Sequence, residues 1–262
     1  MDIDRETNVA LGAANNACDA LRDHFGRASV VRKKGIADLV TQADLASEEA
    51  IIGAIRAAFP DDSILAEESG ESRAGSDRQW IIDPLDGTTN YAHGVPLFAV
   101  SIAFVLDGRT VLGLVVNPIG EELFMASAGG GATLNGLPLE VSDVEDLSDA
   151  LLVTGFPYNT RECLDPVLSR LGRALVTSHG VRRLGSAALD LCWVACGRFE
   201  AFWEENLSPW DTAAGELIAR EAGGLVTNFS GEAFSPEMKQ LLATNGKVHE
   251  ELLQLLNSKE TP

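Results

Sequence analysis

Two carboxylates, Asp83 and Asp86, close the apolar run Trp80-Ile81-Ile82 and lead straight into Gly87-Thr88-Thr89-Asn90. Pro84 has no N–H to give to a ladder, so the strand is expected to stop at Asp83. Two carboxylates held at a strand end repel one another unless a cation sits between them. The Gly-Thr-Thr that follows can offer backbone N–H groups and a hydroxyl to an anion, as a helix N-terminus does. A cation site touching an anion site is the layout of metal-dependent phosphoester chemistry. Taken alone, Asp-Pro-x-Asp-Gly describes a surface turn equally well.

Three further acidic segments favour the metal reading. Asp44 closes Asp38-Leu39-Val40-Thr41-Gln42-Ala43-Asp44 at the start of a helical pattern, with Thr41 as its expected N-cap. Glu67 and Glu68 follow the short apolar run at Leu65-Ala66, and Asp211 opens another helix after Trp210. Each carboxylate lies at the edge of a regular element, where sites are usually assembled. Magnesium prefers hard oxygen ligands and keeps several waters, so Glu67, Asp83, Asp86, Asp211 and the Leu85 carbonyl are enough to hold it.

Those residues lie in motifs that resemble the inositol monophosphatase family. WIIDPLDGTTN at 80–90 is similar to the family's first signature, and PWDTAAGELIAREAGG at 209–224 to its second. LAEES at 65–69, DLVTQAD at 38–44, RRLGSAALDL at 182–191 and FWEENLSPWD at 202–211 match in the same order. The resemblance implies an α-β-α-β-α sandwich with the active site between two lobes, 1–141 and 142–262. It also implies a Mg²⁺-dependent, lithium-sensitive phosphatase using two to three ions. Glu67, Asp83 and the Leu85 carbonyl would hold the first, Asp83, Asp86 and Asp211 the second, and Glu67 a weaker third.

By the same resemblance Thr88 orients the attacking water with Asp44 behind it, and the Gly87 and Thr88 amides hold phosphate oxygens. Lys33 sits on a loop near the anion; a solvated lysine beside Lys34 is the competing reading. Glu204 and the segment Gly185-Ser186-Ala187 would take the polyol, though a one-residue shift exchanges Glu204 with Glu205. Inositol-1-phosphate is the expected substrate. Histidinol phosphate and fructose 1,6-bisphosphate remain open, and a docking role in transcription or RNA processing is the rival from another class. The family is typically dimeric, and Leu123-Phe124-Met125 and Leu184 to Trp193 are expected to leave apolar surface for a homodimer.

The 262 residues suit one large domain or two joined lobes, and 45% of them are hydrophobic, ample for a core. A net charge of −19 argues against direct nucleic-acid binding through phosphates. No window is long and apolar enough for a membrane span, and the acidic start Met-Asp-Ile-Asp is no leader peptide, so a cytoplasmic location is expected. Cys18, Cys163, Cys192 and Cys196 include no C-x-x-C and read as free thiols.

Periodicity places an amphipathic helix over 3–25, extended segments at 30–31 and 36–40, and a second helix from Ala43 to Phe59. A strand at 63–66, a polar loop from Gly70 to Asp77 and the Trp80 strand precede an antiparallel meander at 98–106, 110–117 and 123–127. Gly129-Gly130-Gly131 is a strand-to-strand turn. After the acidic joint Ser142 to Asp149, strands and helices alternate to the end, which predicts a mostly parallel sheet with helices on its faces.

Overall fold

The computed structural model of the chain describes residues 3–27, 30–33, 39–72, 75–157 and 159–258. The first part runs α1 (Asp4–His24), β1 (Val30–Lys33), β2 (Leu39–Thr41), α2 (Gln42–Ala58), β3 (Ser63–Ala66), β4 (Gly70–Ser72), β5 (Arg78–Asp86) and α3 (Thr88–Ala92). The meander follows as β6 (Ala99–Leu106), β7 (Arg109–Asn117), β8 (Glu122–Ser127), β9 (Gly131–Leu134) and β10 (Leu137–Pro138). The remainder is β11 (Leu151–Thr154), α4 (Leu164–Thr177), β12 (Gly180–Arg182), α5 (Ala187–Ala195), β13 (Ala201–Glu205), α6 (Pro209–Glu221), β14 (Leu225–Thr227), β15 (Gln240–Thr244) and α7 (His249–Asn257).

Strand alternation sorts the core into layers. In the eight-stranded sheet β10-β9-β8-β7-β6-β5-β3-β4, Trp80, Ile82, Ile102 and Phe104 face α1 and α2. Ile81, Ala103 and Val115 face the other way, onto α5 and α6. Successive side chains on a strand point to opposite faces, so one run of apolar residues serves both layers. Beyond α5 and α6 lies the five-stranded sheet β12-β11-β13-β15-β14, whose Val153, Phe202 and Ala243 join the same cluster. Its outer face buries Leu152, Ala201 and Trp203 under α4 and α7. The result is the expected α-β-α-β-α sandwich.

The middle layer is what sets the site's geometry. Helix α5 is buried along nearly its whole length because both sheets need an apolar face to cover. Helix α6 lies close to β7, where a Cβ on Gly113 would come within 2.6 Å of the Ala214 carbonyl oxygen. One apolar cluster thus draws on residues both before and after position 141.

The structure differs from the sequence reading in four places. Pro84 does not end β5: pairing with β6 runs to Asp83↔Ser101, shifts register, and resumes at Asp86↔Ala99. A bulge takes the proline out of the ladder, so its missing N–H costs no bond. The expected loop at 70–77 contains β4, a short antiparallel edge on β3. Strand β15 was not foreseen, and it pairs antiparallel with both β13 and β14, while β11 is parallel to β12 and β13. The stretches expected to form an apolar surface are covered in part within the chain: Phe124, Leu189, Leu191 and Cys192 are fully buried, while Leu123, Met125, Leu184 and Trp193 are half-buried.

Candidate metal and phosphate site

The bulge in β5 delivers the two signature carboxylates. Ser47 of α2 donates to the Pro84 carbonyl at 2.7 Å, and the Leu85 N–H donates to Asp83 Oδ1 at 2.9 Å. Gly87 then takes φ 94°, a region that favours glycine, and a Cβ there would come within 3.0 Å of the Leu97 carbonyl oxygen. Parallel pairing sets β3 beside β5, so Glu67, just past the end of β3, arrives next to Asp83; its N–H reaches the Ile82 carbonyl at 3.2 Å. From the other side Asp211 enters at the third residue of α6, where its Oδ2 accepts from the Ser208 N–H at 2.6 Å.

These carboxylates feel one another. Burial foremost, then the charges of Glu67, Asp86 and Asp211, hold Asp83 well above the ordinary carboxylate range. Burial and then Asp86 do the same to Asp211. Asp86 is also raised by burial, against the opposing hydrogen bonds of Ser186, Ala188 and Ala187. Among the described residues no three acidic, histidine or cysteine groups are closed to the spacing of a coordinated cation. Glu67, Asp83, Asp86 and Asp211 nevertheless form one electrostatically coupled set. Its donors are oxygens only, which fits magnesium.

Beside them stands the pair assigned to the water. The Thr88 hydroxyl lies 3.0 Å from Asp44 Oδ1 and 3.0 Å from the Leu85 carbonyl oxygen. Asp44 is fixed by α2's capping box: its Oδ2 accepts from the Thr41 N–H at 2.8 Å and the Thr41 hydroxyl at 2.5 Å. Thr41 is therefore the N-cap, as its position suggested. Burial raises Asp44, with the Thr41 and Thr88 hydrogen bonds opposing.

Part of this set opens on a cleft of about 500 Å³ whose lining includes Asp86, Gly87, Thr88, Ala187, Glu204 and Asp211. Glu205 is taken up by Arg170 at 2.6 Å and Gln240 at 3.0 Å. Glu204 lines the cleft as well, and burial pushes its pKa up to about 8. Ser186 donates its hydroxyl to Asp86 Oδ2 at 2.6 Å. Lys33 is the last residue of β1, and its side chain lies outside the described residues, as do Lys34 to Asp38.

The model of the inositol monophosphatase family matches residues 2–261. The chain belongs to the inositol monophosphatase family. It is 46% identical to a Nus factor SuhB of Pseudomonas aeruginosa, over 94% of this chain and 93% of that one. It is 45% identical to an inositol-1-monophosphatase of Synechocystis, over 97% of this chain and 90% of that one. The solved structure of the extragenic suppressor protein suhB from Bartonella henselae superposes with a TM-score of 0.93 at 40% identity, covering 98% of this chain and all of that one (100%).

For this member of the inositol monophosphatase family, sequence reasoning passed over three residues near the site. Asn90 closes the first signature yet received no role. Arg183 stacks its guanidinium over Phe156 at 5.5 Å and is the positive charge that offsets Asp86 and Glu204. Asp190 on α5 is buried, with neither carboxyl oxygen hydrogen-bonded among the described residues, and burial holds its pKa well above the ordinary range. Their types carry no signal without their neighbours.

The raised carboxylates give a pH prediction with a definite sign. In the metal-free native state they hold protons that the unfolded chain has already released. Metal-free stability should therefore fall as pH climbs from the ordinary carboxylate range toward the Glu204 value of about 8. A divalent cation favours the ionised forms, so Mg²⁺ binding at neutral pH should release protons and tighten as pH rises. Calorimetric titrations in two buffers of different ionisation heat would measure this. Binding without proton release at neutral pH would contradict it.

Proposed function

We propose that this protein is a Mg²⁺-dependent phosphomonoesterase that hydrolyses inositol-1-phosphate to inositol and phosphate. The observation that carries the reading is the coupled set Glu67, Asp83, Asp86 and Asp211 beside the Thr88–Asp44 pair, with Asp86, Asp211 and Glu204 on the wall of one cleft. Glu67, Asp83 and the Leu85 carbonyl would hold a first magnesium ion, Asp83, Asp86 and Asp211 a second, and Glu67 a third. Magnesium supplies, when bound, the positive charge that acidifies water and stabilises a leaving alkoxide.

The protein's own groups do the positioning. Thr88 Oγ1 accepts a hydrogen bond from the attacking water while its own proton points to Asp44 Oδ1. With the Leu85 carbonyl engaged elsewhere, Asp44 is the acceptor left to it. The Gly87 and Thr88 amides, at the start of α3, face the phosphate oxygens. Glu204 and the Ala187 segment face the hydroxyls of the polyol. In phosphoryl transfer most of the catalysis is alignment and charge stabilisation of this kind.

Phosphate release from a panel including inositol-1-phosphate, histidinol phosphate and fructose 1,6-bisphosphate, with and without Mg²⁺, tests the substrate. Turnover independent of Mg²⁺, or preference for another ester, would overturn the corresponding part. Lithium should inhibit by competing at Asp83, Asp86 and Asp211. A homodimer is the assembly proposed, resting on family resemblance now that Phe124 and Leu191 are buried within the chain; light scattering decides it.

The name Nus factor carried by the P. aeruginosa relative favours a second reading, a docking role in transcription alongside the chemistry. The complete set of carboxylates supports an active enzyme rather than a scaffold. Pull-down of transcription proteins by Asp83→Asn and wild-type protein would separate the two roles. No helix among the described residues is long and apolar enough to cross a membrane.

A further inference from the structure

Among the four carboxylates, Asp86 is singled out by how it is held. Its Oδ2 accepts from the Ser186 hydroxyl at 2.6 Å and the Ala188 N–H at 2.7 Å, and the Ala187 N–H adds a further hydrogen bond. All three donors come from the start of α5, a hundred residues away in the chain. The Ser186 and Ala188 donors both take Oδ2, which fixes the carboxylate plane. The ligand's aim is therefore set by where the segment 184–188 lies.

That segment falls between elements, since β12 ends at Arg182 and α5 begins at Ala187. Besides the bonds of Ser186, a side chain from the first signature ties it down. Asn90 Nδ2 donates to the Leu184 carbonyl at 2.8 Å and to the Leu97 carbonyl at 2.7 Å. Both of its amide hydrogens are thereby spent on loops that flank Asp86. Gly185 adopts φ 93°, and a Cβ there would come within 3.2 Å of Asn90 Nδ2, so the backbone passes close over the amide. The Gly185 carbonyl oxygen in turn would meet a Cβ on Gly87 at 3.2 Å. Asn90 is four residues after Asp86, on the short helix α3 that the signature begins.

We propose that Asn90 is a positioning residue for the second cation. It anchors the Leu184–Ser186 loop, the loop and the α5 amides clamp Asp86, and the clamp sets the cation affinity of Asp86. This rests on the cation site proposed above. A cation held by Glu67 and Asp83 is outside the clamp, so the effect is confined to one of the two sites. A residue that merely glued loops together would lower thermal stability and leave cation affinity alone.

Manganese binding followed by calorimetry on the full chain distinguishes these roles without measuring turnover. Asn90→Ala should weaken the second manganese equivalent roughly tenfold, as loss of one or two neutral hydrogen bonds implies, and leave the first within about twofold. Ser186→Ala should show the same split, and Ser186→Thr, which keeps the hydroxyl, should restore the affinity. The double variant should be no weaker than the worse single one, because both act through the same carboxylate. If Asn90→Ala does not fold, the Ser186 pair tests the clamp from its other end. An Asn90→Ala protein with a lower Tm and an unchanged second affinity overturns the proposal while leaving the cation site standing. A wild-type protein that binds no manganese overturns both.

Discussion

Asp83→Asn and Asp211→Asn should each cut turnover roughly a thousandfold while the protein stays folded. Asp83 is 2% exposed, and its pKa is raised by burial first and by three neighbouring acidic groups after that. Replacing it with the neutral amide removes charge that only a cation offsets. The loss of transition-state stabilisation should be about 4 kcal/mol, roughly a thousandfold in rate. The local structure survives because an Asn oxygen can still accept the Leu85 N–H, as Asp83 Oδ1 does. At Asp211 an Asn oxygen can still accept from the Ser208 N–H within the α6 capping box. Without Mg²⁺ the variants should melt no lower than wild type, since the amide is neutral in the buried site without having to take up a proton. Near-normal Mg²⁺-dependent phosphate release in either variant would remove the site assignment.

Glu204→Gln should separate substrates instead of abolishing activity. Burial pushes Glu204 up to about 8 in the metal-free protein, and cations nearby draw it back toward the ionised form. The amide keeps the shape and one acceptor but cannot carry the charge that grips polyol hydroxyls. KM for inositol-1-phosphate should rise by one to two powers of ten, as ~1–3 kcal/mol implies. A simple aryl phosphate, which lacks those hydroxyls, should be hydrolysed nearly as before. Gly155→Ala offers an independent route to the same result, because a Cβ there would overlap the Glu204 carboxylate and push it from its place. Equal losses on both substrates would assign Glu204 to the cation network and end its role as the polyol contact.

Much of the fold was legible in the sequence where the pattern is local. The helical spacing of Val9, Ala13, Ala17 and Leu21 marks α1, and the apolar run Trp80-Ile81-Ile82 marks β5. Strand β15 was missed because Leu241-Leu242-Ala243 is a short apolar run, buried on both faces, that has no period of its own. Pro84 misled for a related reason. A proline is incompatible with a ladder hydrogen bond, but whether the chain stops or bulges depends on what supports the bulge, and here Ser47 on another element does.

By itself the sequence determined which groups are available and how the nearest of them are spaced. The Asp83–Asp86 pair, the capping box joining Thr41 and Asp44, and the Asp211 at the head of α6 follow from residue type and a few backbone angles. Tertiary structure decided which oxygen of each carboxylate is left to act. Ser186 could be assigned from sequence to substrate, yet packing of α5 between the two sheets brings its hydroxyl to Asp86 across a separation of 100 residues. Glu205 likewise takes its partners, Arg170 and Gln240, from elements distant in the chain, which supports Glu204 as the proposed polyol contact. Side-chain chemistry is encoded one residue at a time, whereas a hydrogen-bond partner is chosen by whatever the packed layers bring within about 3 Å.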